Sequence, residues 1–154
     1  MDTVAIKLIE KFDKLCKPEQ INVPGCTALI WACDNSMDNV AIKLIDEFGE
    51  LCKPEQTATY GITALISTCA NSMNDVAIKL IDKFGKLCKA EQIDGVGNTA
   101  LIYACDNFMD DVAIKLIEEF SKLCKPEQIN SVDNTALIYT CTHFMDDVAI
   151  KLIE

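Results

Sequence analysis

The sequence predicts an all-α protein, an α-solenoid of stacked helix pairs, on three observations. The hexapeptide Val-Ala-Ile-Lys-Leu-Ile starts at Val4, Val40, Val76, Val112 and Val148, always 36 residues on, and a fixed period of that size marks a repeat architecture. Apolar residues inside each copy recur at helical spacing. The connections between them are rich in turn residues and leave no room for a useful strand.

The first element of the unit is a long amphipathic helix. Val4, Ala5, Ile6, Leu8, Ile9, Phe12, Leu15 and Cys16 form its apolar stripe, with Lys7, Glu10, Lys11 and Lys14 opposite. The column Asp38, Asn74, Asp110 and Asp146 reads as its N-cap, with Met37 placed to staple onto Ile42. Pro18, Pro54 and Pro126, with Ala90 the exception, set its expected end near Lys17 and the equivalent positions. That makes a helix of about fourteen residues.

The second element is a shorter helix. Thr27, Thr63, Thr99 and Thr135 are its N-caps, each opening a Thr-Ala-Leu-Ile run, and it ends by Asn35. Gly25, Gly61, Gly97 and the pair Asp133-Asn134 precede it, all tolerant of tight turns.

A lone helix pair cannot bury both apolar faces, so adjacent units must supply one another's interior. Residues 1–154 then form a single array: a long helix over 1–17, followed by helix pairs over about 25–53, 61–89, 97–125 and 133–154, the last one truncated.

The segment Gly25-Cys26-Thr27-Ala28-Leu29-Ile30-Trp31-Ala32-Cys33 resembles the ankyrin signature G-x-T-P-L-H-x-A-A, and the later copies fit as well. Ala stands for the family's Pro and Ile for its His, and the period exceeds the roughly 33 residues of ankyrin repeats. The wording of TALIYAC and VAIKLI is similar to ankyrin-like arrays of large DNA viruses of protists. Such a resemblance implies a protein-binding array whose short helices and loop tips hold the partner, in the host cytoplasm if the source is viral. The chain is short between Ile93 and Thr99, so blunt loops replace long β-hairpins and the outer helices run longer. Tetratricopeptide-type helix pairs are the structural alternative.

Composition narrows the function. Half of the residues are apolar and a quarter charged, as in globular proteins. No run approaches the roughly 18 apolar residues of a membrane span. Asp2, Lys7 and Glu10 interrupt any secretory signal, so a soluble, cytoplasmic protein is expected. A net charge of -10 repels phosphates and anionic lipid, arguing against nucleic acid and membrane partners.

Catalytic, metal and cofactor sites are not expected. The nine Cys fall in two columns, Cys16, Cys52, Cys88, Cys124 and Cys33, Cys69, Cys105, Cys141, with Cys26 alone. Like residues of stacked units stand a repeat apart, a poor geometry for tetrahedral zinc, so reduced, packed thiols are the expectation and metal or redox duty the rival. His143 is the single histidine and no phosphate loop is present. Glu10, Asp46, Asp82 and Glu118 are expected to pair with Lys14, Lys86 or Lys122 one turn on.

The variable column Trp31, Ser67, Tyr103, Tyr139 carries the functional expectation, because recognition lives where a scaffold permits change. The candidate partner-binding set is Trp31, Asp34, Tyr60, Tyr103, Asp106, Phe108, Tyr139, His143 and Phe144. The same aromatics are equally suited to filling core space between units. Residues 1–10 and 145–154 differ only at Thr3 and Asp147, and neither end segment is polar on its outer face. The expectation is either an excerpt of a longer array or ends that meet other copies head to tail.

Overall fold

The computed structural model describes residues 2–154. Met1, counted in the expected first helix, lies outside the described residues. Nine α-helices and no strand are present among them: α1 Asp2–Phe12, α2 Ala28–Asp34, α3 Asp38–Phe48, α4 Ala64–Ala70, α5 Asn74–Phe84, α6 Ala100–Asp106, α7 Asp110–Phe120, α8 Ala136–Thr142 and α9 Asp146–Ile153. Short and long helices alternate as the repeat requires. Each short helix packs on its own long helix and on the next short one, and each long helix packs on the next long one.

The short helix begins as its sequence predicts. Thr27, Thr63, Thr99 and Thr135 hold extended backbones, and each Oγ1 accepts from the N–H three residues on, at 3.2–3.3 Å. The helix stops because the next residue but one turns left-handed at Ser36, Ser72, Phe108 and Phe144, with φ between 52 and 58°. The Met37 N–H then reaches the Ala32 carbonyl at 2.8 Å, and the same bond recurs at Met73, Met109 and Met145, which closes a Schellman-type cap.

That closure corrects the N-cap assignment. Met37, Met73, Met109 and Met145 occupy the cap of the long helix without a side-chain cap bond, and Asp38, Asn74, Asp110 and Asp146 are its first helical residues. The three carboxylates act there on the helix dipole instead.

The long helix is also shorter than the expected 1–17. Each full copy stops after eleven residues, at Phe12, Phe48, Phe84 and Phe120, and continues as a 3-10 turn. In the three inner copies the residue after the Phe swings to positive φ at Gly49, Gly85 and Ser121, with ψ near −125 to −131°. A continuous helix would carry Cys52 about 12 Å beyond Leu44. Instead the chain folds back, and the buried Cys52 Sγ lies 3.1 Å from the Leu44 carbonyl, as Cys88 does from Leu80 at 3.2 Å.

The turn before each short helix is a tight reversal, closed by an N–H bond from Asn22, Ala58, Asp94 or Asn130 to the carbonyl four residues on. Gly61 is needed twice over: its φ is +77°, and a Cβ there would strike the Ile93 carbonyl of the next turn. Adjacent turns are joined by Thr59 N–H to Pro24 O at 3.0 Å and Ser131 N–H to Val96 O at 2.9 Å.

One core runs through all units. Leu29, Ile30, Leu65, Ile66, Leu101 and Ile102 of the short helices are fully buried, as are Val76, Leu80, Val112 and Leu116 of the long ones. At the two ends the same columns are open. Val4 is 67% exposed where Val40 is 5%, and Leu137 and Ile138 are exposed where Leu101 and Ile102 are not.

Two side-chain ladders tie unit to unit. Lys79 pairs with Asp46 at 2.8 Å, Lys115 with Asp82 and Lys151 with Glu118 at 2.6 Å, and Lys43 with Glu10 at 3.5 Å. These bonds replace the expected pairs with Lys14, Lys86 and Lys122, which lie in the 3-10 turns past the helix ends and so off the helical i+4 position. In the second ladder, Asn71 Nδ2 donates to the Cys33 and Asp34 carbonyls and Asn107 Nδ2 to those of Cys69 and Ala70, across the unit boundary.

Candidate functional site

The candidate residues fall into two clusters and three separate positions, Tyr103, Asp106 and Phe144. In the first cluster, Trp31 of α2 and Tyr60 of the following turn line a cleft of ≈ 340 Å³ with Asp34, Pro24 and Ile62. Trp31 is 42% exposed and Tyr60 78%. Tyr60 holds φ +61°, a left-handed backbone that costs a bulky residue about 1–3 kcal/mol.

In the second cluster, His143 stacks on Phe108 with centroids 4.2 Å apart and planes at 20°, and it lies 5.9 Å from the Tyr139 ring. His143 fills the place of Asn71 and Asn107: its Nδ1 lies 3.0 Å from the Cys105 carbonyl, so that nitrogen carries the hydrogen. Its ring thus serves the unit boundary and leaves Phe108, 63% exposed, facing outward. Phe144 stands apart at 88% exposure, and Asp106 is half-buried. Phe108 and Phe144 share φ +58°, so three exposed aromatics sit on backbones that disfavour them.

Tyr103 and Tyr139 pack against the core as half-buried rings. The Tyr103 hydroxyl donates to Asp94 Oδ2 at 2.8 Å, while Asp94 Oδ1 accepts from the Val96 and Asn98 N–H groups at 3.0 and 2.8 Å. Burial, the largest cause, and the Asp94 carboxylate hold its phenol above the usual range. Asn130 supports the next turn in the same way through Val132 and Asn134, and its amide lies 3.5 Å from the Tyr139 hydroxyl. These positioning residues are missed by helix-by-helix reading. The signal is the constant nine-residue spacing of Asn22, Asp94 and Asn130 ahead of Trp31, Tyr103 and Tyr139. Unit two has Ala58 and Ser67 in the two columns, and among the described residues the buried Ser67 Oγ has no hydrogen-bond partner.

The cysteines are mostly interior. Cys33, Cys52, Cys69, Cys88, Cys105 and Cys124 are buried, Cys16 and Cys26 half-buried, and Cys141 exposed, all as free thiols. Burial pushes Cys52, Cys69 and Cys88 up to about 12 and Cys124 to about 11, and raises Cys33 and Cys105 further. Such thiols are poor nucleophiles, because the thiolate is the reactive form. Among the described residues no three His, Cys, Asp or Glu side chains gather to hold a metal ion, and no helix is long and apolar enough to cross a membrane.

A second apolar cleft, ≈ 470 Å³, opens between α1 and α2, lined by Leu8, Ile9, Trp31, Ala32, Val40 and Leu44 among others. It occupies the side of α1 that the inner long helices cover with a short helix. No protein-family model matches the chain, and no curated protein matches it in sequence.

Proposed function

We propose that the chain is an α-solenoid of stacked helix pairs, ankyrin-like in plan, serving as a non-enzymatic protein-binding scaffold in the cytoplasm, where nine free thiols stay reduced. Its partner docks on the short helices and turns. The observation that carries this is the exposure of Trp31, Tyr60, Phe108 and Phe144 on the short helices and the turns beside them, three of them on left-handed backbones. Exposed aromatics of this kind are the usual anchors of interfaces.

A random twelve-residue peptide display library panned on the immobilised chain tests it. Binders should emerge that lose capture on Trp31→Ala plus Tyr60→Ala, with helical circular dichroism unchanged. A selection that yields no binders, or binders indifferent to those substitutions, refutes the proposal.

Head-to-tail self-assembly is the second reading, favoured by the bare apolar faces at Val4 and Leu8 on one side and Leu137 and Ile138 on the other. Light scattering over a hundredfold concentration range decides it: a constant monomer mass discards it.

A further inference from the structure

We infer that the partner surface takes a basic polypeptide segment, with arginine side chains as its anchors; this rests on the scaffold function proposed above. The charge of the chain is divided along the sequence. Residues 18–39, 54–75, 90–111 and 126–147 hold each short helix, the turn before it and the first two residues of the following long helix, and they carry fourteen acids and not one lysine; six of the fourteen, Asp38, Asp75, Asp110, Asp111, Asp146 and Asp147, open long helices. The remaining segments carry ten acids and all fourteen lysines. The two sets amount to −14 and +4, which together make the net −10.

The ion pairs follow the same division. The acids they use are Glu10, Asp46, Glu47, Asp82 and Glu118, all in the lysine-bearing segments. Among the described residues, no lysine pairs with an acid of the short-helix segments, and of those acids Asp94 alone is buried. These acids thus lack lysine partners, Asp38, Asp110 and Asp146 meeting only helix dipoles, and their field attracts cationic partners and repels phosphates.

The aromatic groups fit the same occupant. A guanidinium stacks on an aromatic face and takes a carboxylate in a bidentate grip. The Trp31–Tyr60 cleft offers two rings with Asp34 on its lining, in a space of ≈ 340 Å³. Phe108 and Phe144 are two further exposed rings, each two residues from an acid: Asp106 and Asp110 flank Phe108, and Asp146 follows Phe144.

The test uses the full chain and three synthetic twelve-residue peptides of the same spacers, carrying four Arg, four Glu or four Gln. Trp31 is the only tryptophan and its fluorescence reports binding; because it lines both clefts, loss of the signal change on Tyr60→Ala assigns binding to the Trp31–Tyr60 cleft. The Arg peptide should bind, and affinity should fall at least about tenfold between 50 and 500 mM NaCl as screening shortens. Asp34→Asn with Tyr60→Ala should weaken it at least tenfold, while Glu47→Gln with Glu119→Gln, on the lysine-bearing side, leaves it within twofold. Binding of the Glu or Gln peptide as tightly as the Arg peptide, failure of the Arg peptide to bind, or equal loss from both pairs of substitutions overturns the inference. Library binders that depend on Trp31 yet lack basic residues would overturn it while leaving the scaffold function standing.

Discussion

Asn107→Ala is expected to destabilise the chain far more than the same change at Asn35, though both occupy one column of the repeat. Asn107 Nδ2 donates to the Cys69 carbonyl at 2.9 Å and the Ala70 carbonyl at 3.3 Å, at the C-terminal end of the preceding short helix. Carbonyls at a helix end have no partner within their own helix and depend on such donors. Two neutral bonds at about 0.5–1.5 kcal/mol each give a loss of about 1–3 kcal/mol. For a chain of this length that is a fall in Tm of about 2–12 °C. Among the described residues no short helix precedes Asn35, which donates to the Trp31 carbonyl of its own helix at 2.8 Å in an exposed position, so its loss should stay below about 0.5 kcal/mol. Asn107→His should recover part of the loss, because His143 already makes this bond to Cys105. Urea unfolding followed by circular dichroism measures all three. Equal losses at Asn35 and Asn107, or a loss at Asn107 within error of zero, refutes the idea that this column fastens one unit to the next.

Further outcomes are expected at single residues and at the buried thiols. Ser121→Gly should stabilise by about 1 kcal/mol, since Ser121 adopts the φ 49°, ψ −125° geometry that Gly49 and Gly85 hold in the same column; chemical denaturation reads the gain. Lys115→Glu should weaken the chain less than Asn107→Ala, and the effect should disappear in 1 M salt, because its partner Asp82 is an exposed carboxylate; thermal melts at two salt concentrations check it. The buried thiols titrate above their ordinary range, so the stability linked to them is complete below about pH 8.5 and is lost as pH rises toward about 12. At pH 8 a disulfide-exchange reagent should label Cys141 rapidly and the six buried thiols only on unfolding. Ser67→Ala should be neutral or stabilising, since it removes a buried hydroxyl with no partner among the described residues; a loss above about 1 kcal/mol contradicts this.

Much of the local structure is legible from the repeat. The four threonine caps, the end of the short helix at Asn35 and the left-handed turn at Gly25, Gly61 and Gly97 follow from residue type at fixed spacing. The end of the long helix does not. Phe48-Gly49-Glu50-Leu51-Cys52 continues a helical pattern of apolar residues, and only burial of Cys52 against Leu44 makes the fold-back at Gly49 favourable. The candidate site divides in the same way. That Trp31, Tyr60 and Phe108 vary within constant columns is visible in the sequence, as is the lysine-free run around each short helix. That Tyr103 is tied to Asp94 and His143 to Cys105, leaving Trp31, Tyr60, Phe108 and Phe144 as the exposed rings, requires the neighbours.

By itself, then, the order of residues determined helix type, period, the threonine caps of the short helices and the division of charge, all of which depend on interactions within one turn or one unit. Tertiary structure decided which identical residues differ in role: Val4 bare and Val40 buried, Asn35 capping itself and Asn107 its neighbour. The physical reason is that a 36-residue period gives like columns like local preferences, whereas burial and hydrogen-bond partners come from the adjacent copy, which among the described residues stands beside some units and not others.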